Sequence, residues 1–96
     1  MLIKGVAHIQ KVLLQYNLLE KYNIDKIGVF GSVARGEQAQ DIDLFVEDIS
    51  DYNELMKFKE ELERILEVKV DIMIKKFANP IVLYRAQKEM IYVTGH

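Results

Sequence analysis

The 96-residue chain contains no cysteine, so it can build neither a disulfide framework nor a thiolate metal site, and its core must hold by burial alone. That absence fits a reducing compartment. No apolar run approaches the roughly 18 to 20 residues that a membrane-spanning helix needs. His8, Gln10 and Lys11 interrupt the amino-terminal stretch before it could serve as a signal core. A soluble, cytoplasmic protein without membrane association is expected. Positive charge is not in excess: 13 Lys+Arg stand against 15 Asp+Glu, a net charge of -2, which argues against strong nucleic-acid binding. Repeats and low-complexity tracts are missing, and the longest linker-like stretch is Gly36 to Gln40. With 50% of its residues hydrophobic and 29% charged, the chain should fold. Its length is below the rough 150 residues of an average domain, so one domain over residues 1–96 is expected.

Hydrophobic spacing divides the chain into elements. From Ile3 to Tyr22, Val6, Ile9, Leu13 and Tyr16 recur every three or four residues, which predicts one long first helix. Lys26 to Phe30 reads as a short strand ending at Gly31-Ser32, followed by a brief helical turn through Val33-Ala34-Arg35 that Gly36 breaks. Asp41 to Glu47 alternates, with Ile42, Leu44 and Val46 on one face and Asp41, Asp43, Phe45 and Glu47 on the other. Asp51 and Glu54 resemble a capping box before a helical stripe of Leu55, Phe58, Leu62, Ile65 and Leu66, with Glu60 and Arg64 paired on the solvent side. Val68 to Ile74 is a third strand, and Asn79-Pro80 starts a helix that runs to about Glu89. Ile91-Tyr92-Val93 can add a strand before a frayed end at Thr94-Gly95-His96. The order α-β-α-β-α-β-α, counting the brief turn, predicts a small mixed β-sheet flanked by helices, an α/β (α+β) fold.

Asp41 and Asp43 leave the same face of one strand with Cα atoms roughly 7 Å apart. Two carboxylates this close repel, and a cation between them relieves the repulsion. Hard oxygen ligands of this kind select Mg²⁺ or Mn²⁺. An isolated Asp-x-Asp is more often just the wet face of a strand. Asp71 alters that balance, because it lies among Val68, Val70, Ile72 and Ile74 on a strand that reads as buried, where an unpaired charge is costly. If its strand neighbours that of Asp41, the three carboxylates can share one face as a two-ion site. Gly31 permits positive φ and close backbone approach, and Ser32 with the adjacent free N–H groups can hold phosphate oxygens. Alone, Gly-Ser is a common turn. Beside Asp-x-Asp, it completes the parts that phosphoryl transfer requires.

The run Gly31-Ser32-Val33-Ala34-Arg35-Gly36-Glu37 with Asp41-Ile42-Asp43-Leu44 resembles the minimal nucleotidyltransferases of the DNA polymerase beta superfamily, the MNT antitoxins, and Asp71 matches their third metal-binding carboxylate. Val33 to Gln40 separate the two motifs, two residues fewer than is usual for the family, and Gln40 stands where Ser often precedes the first Asp. The resemblance implies Mg²⁺-dependent binding of ATP or another nucleoside triphosphate and transfer of a nucleoside monophosphate, AMP in the first instance, to a protein hydroxyl. Asp41, Asp43 and Asp71 would be the catalytic and metal residues; Gly31, Ser32 and Arg35 would bind nucleotide. Arg35 either orients phosphate or pairs with Glu37 or another carboxylate.

The resemblance further implies a HEPN-type toxin as partner and acceptor. The alternative is a non-catalytic antitoxin module that neutralises such a toxin by binding. A metal-dependent glycosyl transferase also uses Asp-x-Asp, but such domains are much longer. In the final helix Ile81, Val82, Leu83, Tyr84, Ala86 and Met90 exceed one stripe, which reads as core packing, with a docking surface as the other possibility. His8 and His96 lack partners at ligand spacing, and Met56, Met73 and Met90 read as core filler.

Overall fold

A computed structural model describes residues 5–37, 40–49 and 51–94. Two helices, α1 (Val6–Gln15) and α2 (Leu18–Lys21), precede strand β1 (Lys26–Phe30). Strand β2 (Asp41–Val46), helix α3 (Tyr52–Leu66) and strand β3 (Lys69–Ile74) follow. One turn of 3-10 helix (Lys75–Phe77), helix α4 (Pro80–Glu89) and strand β4 (Ile91–Thr94) complete the order. The sheet order is β3-β2-β1-β4: β2 and β3 are parallel, and β1 is antiparallel to both β2 and β4. This is the small mixed sheet with flanking helices that the sequence pattern implies.

The element boundaries have local causes. Asp51 caps α3 by accepting hydrogen bonds from the N–H groups of Asn53 (2.8 Å) and Glu54 (3.3 Å), and Glu67 closes that helix in the left-handed conformation. Asn79 caps α4 in the same way, with Pro80 at its first position. Three expectations need correction. The long first helix is two, because Asn17 adopts φ 53° and turns the chain between Tyr16 and Leu18; its expected start at Ile3-Lys4 lies outside the described residues, as does the Gly95-His96 end. The segment after Gly31 is a hydrogen-bonded turn rather than a helix, with Arg35 N–H on Gly31 O (3.2 Å) and Glu37 N–H on Ser32 O (3.0 Å). The Glu60–Arg64 pair is not among the ion pairs of the described residues, whereas Glu54 pairs with Lys57 at 3.4 Å.

Strand alternation gives the sheet two unlike faces. Ile27, Val29, Ile42, Leu44, Val46, Val70 and Val93 lie buried on one, under α1, α2 and α3 through Ile9, Leu13, Leu18, Leu19, Leu55, Phe58 and Leu62. The opposite face carries Asp41, Asp43, Phe45 and Asp71. There Phe45 is fully buried and Gly28 abuts Met90, so α4 covers part of that face at its carboxyl-terminal end. The expected core packing of the rest of α4 is not found: Ala86 is its only buried residue, while Ile81 and Tyr84 are 65% and 62% exposed. Among the described residues, the helix meets only part of the sheet and has no second layer above it.

Candidate active site

Parallel pairing of β2 with β3 sets Asp43 directly opposite Asp71, with Asp41 opposite Lys69. Paired residues on adjacent strands project to the same side, so the three aspartates share one face. Burial pushes the Asp43 carboxyl up from its ordinary value; the charges of Asp71 and Asp41 push the same way, and Arg35 opposes them. Asp71 is not buried, contrary to expectation. β3 is an edge strand and its outer face is open, so the Asp71 side chain is 53% exposed and lies 3.9 Å from Lys69 Nζ. Among the described residues, no three acidic, histidine or cysteine side chains stand close enough to ligate one ion together. Asp43 and Asp71 are adjacent, and Asp41 stands two residues along the same strand.

Gly31 ends β1 with φ 76°, a conformation that favours glycine, and a Cβ there would strike the Asp43 carboxylate. The turn therefore rests directly on the aspartate face because it has no side chain. Arg35 donates through Nε to Glu37 (2.9 Å) and through Nη1 to both oxygens of Glu89 (3.1 and 2.9 Å). Of the two roles open to Arg35, the structure shows the pairing with carboxylates. Glu37 first, then Glu89, hold its guanidinium above its ordinary value.

Sequence reasoning missed Glu89 and Lys69. Glu89 accepts from Gly31 N–H at 2.9 Å, and Arg35, with help from that N–H, holds its carboxyl below the ordinary range. The pairing of Val29 with Ile91 explains the approach, because two residues onward along β1 and two back along the chain bring Gly31 beside Glu89. The weak β4 signal was the only hint.

Residues 13–95 match the family model "Polymerase beta, Nucleotidyltransferase". The chain belongs to that family. A candidate protein adenylyltransferase of Methanocaldococcus jannaschii is 37% identical over 100 residues, covering 95% of this chain and all of the relative. A solved candidate minimal nucleotidyltransferase superposes with a TM-score of 0.70 at 27% identity, over 90% of each chain. A solved MntA–HpeT toxin–antitoxin complex matches with a TM-score of 0.66 at 25% identity, over 85% of this chain and 71% of the other. In this polymerase beta-type nucleotidyltransferase, Asp41, Asp43 and Asp71 lie on the two strands that follow the Gly31-Ser32 turn. No helix among the described residues is long and apolar enough to cross a membrane.

Proposed function

We propose that this nucleotidyltransferase moves AMP from ATP to a hydroxyl of a protein partner, a HEPN-type toxin, and so acts as its antitoxin in the cytoplasm. The observation that carries the reading is the opposition of Asp43 and Asp71 beneath the Gly31 turn. The donor set suits Mg²⁺, or Mn²⁺, because it offers hard carboxylate oxygens; burial first, and then the charges of Asp71 and Asp41, raise the Asp43 carboxyl, and a divalent cation would relieve the repulsion. Asp43 and Asp71, which face each other across β2 and β3, would hold the metal, and Asp41, two residues along β2, would complete the set only by a side-chain shift toward the ion; the metal would neutralise phosphate charge and lower the pKa of a coordinated hydroxyl. Ser32 and the Gly31 backbone would hold the terminal phosphates, with Arg35 balancing the charge of departing pyrophosphate. The chain's own contribution is position: β2 and β3 fix the carboxylates, and the turn fixes the phosphate donors. The similarity to a candidate adenylyltransferase and to a toxin–antitoxin complex supports both the reaction and the kind of partner.

The test is incubation of the protein with Mg²⁺, ATP and a HEPN-type toxin, followed by mass spectrometry of the toxin. An AMP adduct on a tyrosine or serine is expected with wild type and none with Asp43→Asn; no adduct with wild type overturns the transfer reading. A second reading retains toxin binding without transfer. The pairing of Lys69 with Asp71 and the shortened run between Ser32 and Asp41 favour it. It predicts that Asp41→Asn still neutralises the toxin in cells, whereas transfer requires that neutralisation be lost.

A further inference from the structure

Gly31 N–H and Arg35 Nη1 both reach Glu89 Oε1, at 2.9 and 3.1 Å, and the same guanidinium nitrogen reaches Oε2 at 2.9 Å. A backbone amide and a guanidinium converging on one oxygen make an anion pocket, and a carboxylate of the chain itself fills it. We infer that Glu89 is a resident anion that occupies the phosphate donors of the nucleotide-free site and must be displaced when the triphosphate binds. The inference rests on the nucleotide site proposed above and adds to it a residue that sets nucleotide affinity.

The position of Glu89 supports exchange rather than a fixed structural role. It is the last residue of α4, where the helix dipole disfavours negative charge, so helix stability does not account for a glutamate there. Its charge also repels Asp43 across the site. The contacts that hold it are Arg35 and Gly31 N–H, both on the Gly31–Glu37 turn, and these are the donors a phosphate would use. The pair is accessible, with the Arg35 and Glu89 side chains 46% and 29% exposed, so exchange with solvent-borne anions opens no buried core. A magnesium-bound triphosphate offers these donors more oxygens than one carboxylate and carries cations toward Asp43 and Asp71, which tips the exchange. When pyrophosphate leaves, Glu89 can return to the same donors.

Calorimetric titration with Mg·ATP of wild type, Glu89→Gln and Glu37→Gln tests the inference. Glu89→Gln keeps the shape and loses the competing charge, so it should bind about tenfold more tightly, with a correspondingly lower KM for ATP. Glu37→Gln removes a charge from the same guanidinium but leaves the charged Glu89 on Gly31 N–H, so its gain should be clearly smaller. Equal or weaker binding by a folded Glu89→Gln protein overturns the inference and leaves the nucleotide-site reading standing. An equal gain in Glu37→Gln also overturns it, since the effect would then be general electrostatics. If neither wild type nor Glu89→Gln binds Mg·ATP, both readings fall. Should Glu89→Gln not fold, the Glu89 carboxyl carbon resonance of wild type decides: it should move toward its solvent-exposed position as Mg·ATP saturates the site, and an unmoved resonance at saturation overturns displacement.

Discussion

Ile42, Leu44 and Val46 alternate along one strand with Asp41, Asp43 and Phe45, yet the two sides of β2 meet opposite surroundings. The first side lies under three helices and is dry. Among the described residues, the second is covered only where Phe45 and Gly28 meet Met90, and it opens toward Asp43, Asp71 and the Gly31 turn. Stability is concentrated on the covered face, through area removed from water. The open face accumulates features that weaken a fold: adjacent like charges, a left-handed glycine beside a carboxylate, and a glutamate at a helix carboxyl terminus. Such sites persist because the rest of the structure over-determines them, and they mark where chemistry takes precedence over stability.

The sharpest test of this contrast is Asp43→Asn. Nucleotidyl transfer should fall by about a thousandfold while the protein becomes more stable. The sign follows from the raised carboxyl: the folded state binds the proton more tightly than the unfolded chain, whose value is near the ordinary 3.8. Ionised Asp43 therefore weakens the fold progressively as pH rises from below 3.8 through the raised value, and the full penalty is present only above it. At about pH 7 the variant should melt about 2–5 °C above wild type without metal, and the gap should close in acid. Mg²⁺ should raise the Tm of wild type more than that of the variant. A less stable variant at neutral pH would contradict the proposed division between the faces.

On the dry side, Leu44→Ala should cost about 3 kcal/mol in urea unfolding, because a cavity opens beneath helices that cannot collapse into it. A loss below about 1 kcal/mol would mean that this face is less tightly packed than its burial implies. Gly31→Ala stands between the two cases. Its positive φ should cost about 1–2 kcal/mol, and its Cβ would displace the Asp43 carboxylate, so Mg·ATP binding should fall further than stability does. Calorimetry and thermal melting on the same sample separate the two effects. The smallest change is expected away from both faces, at the α3 cap: Asp51→Ala should lose about 1 kcal/mol with nucleotide binding unchanged.

Much of the fold was legible because its causes are local. β2 declared itself by strict alternation, α3 by its stripe and the Asp51 cap, and α4 by Asn79-Pro80. The break at Asn17 was not legible, since the apolar period continues through it and only tertiary packing selects two helices over one. α4 was misread for a related reason, as a spacing rich in apolar residues does not reveal whether a partner layer exists. Among the site residues, Gly31, Ser32 and the three aspartates were named from residue type and spacing and Arg35 from the family resemblance, whereas the exposure of Asp71 and its pairing with Lys69 depend on β3 being an edge strand.

The amino-acid order alone determined which residues could do chemistry here: acids two apart on an alternating strand, a glycine-serine turn before them, and no thiol to offer another route. Periodicity and capping act over a few residues, so that information survives in one dimension. Tertiary structure decided the rest. Parallel registry set Asp71 against Asp43, and antiparallel registry with β4 brought Glu89, 58 positions away, to Gly31. Register is fixed by the fit of one strand's buried face to its neighbours, a collective property of the assembled core that no single segment encodes.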